Sequence, residues 1–239
     1  MKKTSRIYHV FTHANGSENI FQEGRNYHYF MSRYFELVSP AVDLEAYCLM
    51  PNHFHLAISI PCVAELSVRD KKFTGMSDEM AFKRISKQLS NLLNSYTQSY
   101  NKSYCRMGSL FRQNMRWKPV DDEDGFCKLV HYIHCNPVHH GFVKNLEDWP
   151  YSSFSEYKSM QKSKRSENAV LKAFGGYDAF MRYHKQPIVR KFSGLSEERI
   201  LMNLRFVKKK KVPGSTVSPS PTHQAEKQTR VINGKVVFK

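Results

Sequence analysis

Cys48-Leu49-Met50-Pro51-Asn52-His53-Phe54-His55-Leu56-Ala57-Ile58-Ser59-Ile60 is the stretch around which the chain is organised. Two apolar runs flank a turn-forming Pro-Asn pair, a pattern that predicts a hairpin or a sharp bend into a strand. Successive strand residues face opposite ways, so His53 and His55 project together while Phe54 points into the core. Two imidazoles on one face of a rigid strand are a starting point for a metal site. Taken alone, the pair reads equally well as two hydrogen-bonded surface histidines.

Upstream, residues 6–12 are aromatic and β-branched and predict a strand. Residues 26–38 place apolar side chains at helical spacing, and Pro40 stops that helix. Residues 44–50 then form the strand that enters the Pro-Asn turn. Downstream, Pro61 ends the histidine strand and residues 62–77 read as a polar, irregular connection. Ser77-Asp78-Glu79 supplies an N-cap and early acids for a long helix to about residue 103. Residues 109–118 predict a further strand. There Arg112, Gln113, Arg116 and Trp117 interleave basic, amide and aromatic side chains, as an edge strand does and as a surface that stacks bases and touches phosphates does. Acids at 121–124 open another helix, with Phe126, Leu129, Val130 and Ile133 on its core side, and Asn136-Pro137 is expected to break it. A small helical segment follows near residues 178–184. The succession β-α-β-β-α-β-α fits an α+β sandwich with a mostly antiparallel sheet.

A chain of 239 residues with 41% hydrophobic composition is large enough for a sizeable core. No apolar run approaches the roughly eighteen residues of a membrane helix, and no signal peptide is expected at the N-terminus. The five cysteines are odd in number, never spaced C-x-x-C, and read as the reduced thiols of a cytosolic protein. The net charge of +16 favours a polyanionic partner, most simply nucleic acid. Residues 187–239 carry +9 of it, from twelve Lys/Arg against three Asp/Glu. The chain therefore divides into a folded domain, 1–186, and a basic tail, 187–239. In the tail, 195–207 has the pattern of an amphipathic helix and 208–222 that of disorder.

The second chemical stretch is His131-Tyr132-Ile133-His134-Cys135-Asn136-Pro137-Val138. Tyr132 and Asn136 are four apart on a helix and share a face. If that face looks toward His53 and His55, two imidazoles and an amide oxygen can hold a divalent cation, with a phenol one turn away. Phosphate chemistry on oxygen donors favours Mg²⁺ or Mn²⁺ over zinc. Lys128, one turn before Tyr132, is a candidate for nucleic-acid contact and a cation placed to lower the tyrosine's pKa from about 10. His131, His134, His139 and His140 read as phosphate or solvent contacts.

Together, Met50-Pro51-Asn52-His53-Phe54-His55 and Tyr132-Ile133-His134-Cys135-Asn136-Pro137-Val138 resemble the single-tyrosine HUH transposases, in particular the REP-associated tyrosine transposases. Trp149-Pro150-Tyr151-Ser152-Ser153 fits as well, and the resemblance covers roughly residues 5–157. It implies a ferredoxin-like α+β core in which His53, His55 and Asn136 bind Mg²⁺ or Mn²⁺. It implies that Tyr132 attacks a phosphodiester in single-stranded hairpin DNA, leaving a 5′-phosphotyrosine link and a free 3′-hydroxyl. A cytoplasmic, nucleoid-associated monomer or homodimer follows from the same resemblance. Two other readings stay open: a protein that binds hairpins without cutting, and a zinc hydrolase using His53, His55 and a third histidine or Cys135.

Overall fold

The sheet grows from the Pro-Asn turn. β2 (Asp43–Met50) and β3 (His53–Ile60) are joined by Pro51-Asn52 alone and pair antiparallel from Met50 opposite His53. Backbone amides hold that turn from outside: Ile20 and Phe21 donate to the Pro51 carbonyl at 2.7 and 2.9 Å, and Ala14 donates to the Asn52 carbonyl at 2.7 Å. β3 pairs antiparallel with β1 (Arg6–His13), and β1 with β4 (Arg116–Val120), giving the order β2-β3-β1-β4. With α1 (Gly24–Leu37) following β1, and α3 (Asp78–Ser103) between β3 and β4, the succession is the βαββαβ of a ferredoxin-like fold, as expected. The computed structural model describes residues 5–113, 115–160, 168–186, 230–232 and 235–237. The helix expected at 195–207 and the disorder expected at 208–222 lie outside these residues. Near the C-terminus, β5 (Arg230–Ile232) and β6 (Lys235–Val237) pair as a separate antiparallel hairpin.

Alternation along the strands gives the sheet two different faces. Val10, Phe54, Leu56 and Ile58 pack with Phe30, Tyr34, Leu89 and Tyr96 of α1 and α3. Burying each such side chain stabilises by about 1.5–3 kcal/mol, so this face sets the register of β3. A slip of one residue would send Phe54 out and both histidines in. The other face, with Ile7, Ala57 and Val120, packs against α4 (Glu123–His139). Asp122 caps α4, accepting the Gly125 amide at 2.6 Å, with Glu123 and Asp124 at the positive end of the helix dipole.

Four features differ from the sequence reading. The connection at 62–77 contains α2 (Val63–Arg69) and a 3-10 turn (Lys71–Phe73), anchored by buried Leu66 and Phe73 and by an Arg69 ion pair with Asp43. Two anchors are too few to register as a period. β4 begins only at Arg116, because residues before it leave the ladder after a single Ala14–Phe111 bridge. α4 runs through Pro137 instead of breaking there. A proline near the last turn removes only one intrahelical bond, and the amides of His140 and Phe142 close the end on the Asn136 and Pro137 carbonyls, each at 2.9 Å. Finally, α5 (Phe154–Ser159), α6 (Ala169–Ala173) and α7 (Tyr177–Tyr183) bring Phe154, Val170 and Phe180 into the α4 cluster, burying that helix on both sides.

The Trp-Pro-Tyr-Ser-Ser segment covers the outer edge of β2. Leu49 donates to the Tyr151 carbonyl at 2.9 Å, Ser153 to the Tyr47 carbonyl at 3.0 Å, and the Trp149 indole to the Leu49 carbonyl at 3.0 Å. An edge capped this way is closed to pairing with another chain. Among the described residues no helix is long and apolar enough to cross a membrane. All five cysteines are free thiols.

Candidate active site

Register decides what surrounds the histidine pair. His13 lies opposite His53 and Phe11 opposite His55, so His9, Phe11 and His13 of β1 share the face of His53 and His55. The His13 and His53 rings stack at 4.8 Å between centroids, and those of His9 and His55 at 5.1 Å. Nδ1 of His53 lies 2.8 Å from Asn52 Oδ1, and Nδ1 of His55 lies 2.9 Å from His9 Nε2. An amide oxygen only accepts, so Asn52 takes the Nδ1–H of His53 and Nε2 is the ring nitrogen that remains. The pinned Pro-Asn turn is what holds Asn52 in place for this. Burial, then the charges that His13 and His140 would carry, hold His53 well below the usual 6.5. Burial, followed by His53 and His9, does the same for His55. Both rings are therefore neutral at pH 7, each with a lone pair to give.

α4 lies across this face. The Tyr132 ring stands edge-on to His55 at 5.5 Å and to His9 at 6.0 Å between centroids. One turn on, Asn136 Nδ2 donates to the Tyr132 carbonyl at 2.8 Å, and the same amide hydrogen-bonds the His53 ring. His140, which ends α4, brings its ring to 5.4 Å from His53. The four residues His53, His55, Tyr132 and Asn136 thus meet at one place, although the chain separates the two halves widely.

The remaining candidates divide. Arg116 sits opposite Phe11, on the histidine face. Arg112 donates its backbone amide to the His13 carbonyl at 2.8 Å, and its charge, second to burial, helps lower His13 to about 4. Gln113 is exposed in the segment before β4. Trp117 requires correction: it points through the sheet and packs against Phe82 and Tyr8, with centroids 5.0 and 5.7 Å away. Alternation puts it opposite Arg116, so the interleaved pattern spans two faces. Lys128 also moves: its ammonium pairs with Asp124 on an exposed surface, which raises its own pKa. His131 and His134 are neither phosphate nor solvent contacts, being fully buried on the far side of α4.

Three residues of this face escaped the sequence reading: His9, His13 and Lys118, which sits half-buried opposite His9. Burial, and secondarily Arg116, lowers the Lys118 pKa. The signal was His9-x-Phe11-x-His13, whose alternation matches His53-x-His55 but gains meaning only when β1 lies beside β3.

The donor set suits a divalent cation. Among the described residues no three His, Cys, Asp or Glu side chains converge on one point. An ion here would rest on the two neutral imidazoles and the Asn136 oxygen, with the Nδ1 side of each ring backed by a fixed partner. Cys135 is buried beside Cys48, and that burial pushes its thiol up to about 12.

Fold and site together define an α+β protein in which a tyrosine-bearing helix is laid over a paired-histidine strand. Two curated proteins are similar to the chain in sequence. A Haemophilus influenzae protein, named provisionally as a REP-associated tyrosine transposase, is 27% identical over 125 residues, covering 46% of this chain and 57% of that protein. An Escherichia coli REP-associated tyrosine transposase is 24% identical over 112 residues, covering 47% and 54%. The chain thus spans little more than half the length of these curated relatives. The relationship expected from the paired motifs is the one found. No protein-family model matches. A solved structure titled as a REP-associated tyrosine transposase bound to a REP hairpin aligns with a TM-score of 0.45 and 18% identity, covering 67% of this chain and 82% of the other. That likeness is too distant to bear on the site.

Proposed function

We propose that this protein is a metal-dependent transposase that cleaves and rejoins single-stranded, REP-like hairpin DNA through a 5′-phosphotyrosine intermediate. The observation that carries this reading is the Tyr132 ring set against His55, with Asn136 of the same helix hydrogen-bonded to His53. The name shared by its relatives agrees with it. The Tyr132 oxygen attacks phosphorus, an O–P bond forms, and the bond from phosphorus to the 3′-oxygen breaks. The phenolic proton is given up, and the departing 3′-oxygen takes one up as the hydroxyl. The phosphoester stays on the tyrosine, so a 3′-hydroxyl can reverse the step without a nucleotide cofactor. His53, His55 and Asn136 hold Mg²⁺ or Mn²⁺, which when bound polarises a phosphoryl oxygen. Arg112, Gln113 and Arg116 position the DNA through its backbone. The protein acts in the cytoplasm on nucleoid DNA, as a monomer or homodimer.

Labelled hairpin single strands incubated with protein and Mn²⁺ test this on a denaturing gel. Wild type gives a covalent adduct and Tyr132→Phe gives none. Cleavage that survives Tyr132→Phe but is lost in His53→Ala would point to a hydrolase. Tight hairpin binding without adduct, across a panel of hairpins, would favour the non-cleaving reading.

A further inference from the structure

We propose that His9 is a positioning residue for the metal centre: it accepts the Nδ1–H of His55 and so fixes the tautomer that turns the Nε2 lone pair toward Tyr132 and Asn136. This rests on the reading of His53, His55 and Asn136 as the metal-holding set. Three observations support it. The His9 Nε2 to His55 Nδ1 distance is 2.9 Å, within hydrogen-bond range, and the rings are 0% and 3% exposed, so water does not compete for the bond. The antiparallel pairing of β1 and β3, with Ala57 opposite His9 and Phe11 opposite His55, puts the two histidines diagonally next to each other on one face, within side-chain reach. The partner arrangement also repeats: His53 has its Nδ1 occupied by Asn52 at 2.8 Å, and there the chemistry allows only the Nδ1–H tautomer. One hydrogen lies between the two neutral rings of the His9–His55 pair, and only its placement on His55 leaves both Nε2 atoms of the strand as donors to a cation. Histidine ligands generally carry such an acceptor behind them, and removing it weakens metal affinity about 10–100-fold.

Two measurements on the full chain test the role. Long-range proton–nitrogen NMR of the metal-free protein reads the tautomer directly: wild type shows His55 protonated at Nδ1, and His9→Phe, which keeps a ring but no acceptor, loses that preference. Titration with Mn²⁺ alone, followed by calorimetry, gives about a 10–100-fold weaker Kd for His9→Phe. His9→Gln, whose amide oxygen reaches about as far as Nε2, restores most of the affinity. Circular dichroism melting of each variant separates this from misfolding, because a purely packing role for His9 predicts that Gln harms affinity at least as much as Phe. An Nε2–H tautomer of His55 in wild type overturns the proposal, as does unchanged Mn²⁺ affinity in His9→Phe. Failure of wild type to bind Mn²⁺ overturns the metal-holding reading beneath it, a result distinct from either of those.

Discussion

α4 separates two clusters of buried histidine, and they use the same side chain in opposite ways. Toward the sheet lie His53 and His55, each with Nδ1 occupied and facing Asn136 and Tyr132. Away from it lie His134 and His184, linked in a closed chain. His184 donates from Nδ1 to the Phe180 carbonyl at 2.9 Å, which leaves its Nε2 to accept from His134 Nδ1 at 2.9 Å. His134 Nε2 then accepts from the Ser153 hydroxyl at 2.8 Å, and Ser153 Oγ takes the Tyr47 amide at 2.9 Å. Every nitrogen in that chain has a protein partner, and the chain ties β2, α4 and α7 together. The difference teaches that burial alone does not mark a ligand. What matters is whether the hydrogen bonds of the ring end in the protein or leave one nitrogen facing a second functional group.

The largest expected effects test this division directly. His53→Ala should weaken Mn²⁺ binding by more than the roughly 100-fold upper range of a second-shell loss, read by calorimetry. His134→Ala should leave Mn²⁺ affinity within about threefold, since both nitrogens of its ring are held by His184 and Ser153 on the other side of α4. The same His134→Ala should destabilise by about 2–4 kcal/mol, because it strands the Ser153 hydroxyl and the His184 nitrogen in a dry interior and opens a cavity. Urea unfolding measures this cost, and a loss of metal affinity in His134→Ala would break the comparison.

Acid is expected to act next in size. Burial, with a smaller contribution from His131, lowers His184 from 6.5 to about 3. Between those values the unfolded chain binds a proton that the folded chain refuses. Its contribution to stability is therefore complete above the unfolded pKa of 6.5 and is lost as pH falls toward 3. The slope for this one group approaches about 1.4 kcal/mol per pH unit. Urea midpoints between about pH 7 and pH 4.5 should follow that sign, and His184→Phe should flatten the acid limb by about one proton. A steeper limb in the variant would contradict the assignment.

The smallest effects belong to the rim. Arg116→Ala and Lys118→Ala should each lower the salt dependence of hairpin binding by about one unit of slope. Trp117→Ala should leave that slope unchanged and lower the melting temperature instead, since its ring packs on Phe82 and Tyr8. Fluorescence anisotropy across a salt series separates the two kinds of residue.

Much of this protein was legible in the order of its residues. The alternation around Pro51-Asn52 forced His53 and His55 onto one face, and the four-residue spacing put Tyr132 and Asn136 on one side of a helix. Strand and helix periods are local, so the βαββαβ succession could be read from them. Which strands become neighbours is not local. The pairing of β1 with β3 brought His9 and His13 beside the histidine pair, and the pairing of β1 with β4 put Arg116 and Lys118 there and Trp117 on the far side. The second layer over α4 was hidden for the same reason: α5, α6 and α7 are short, and their few apolar residues show no period. The residue pattern determined the two halves of the site. Packing between distant segments decided that the halves meet, and that His134 and His184 have every ring nitrogen tied into the fold.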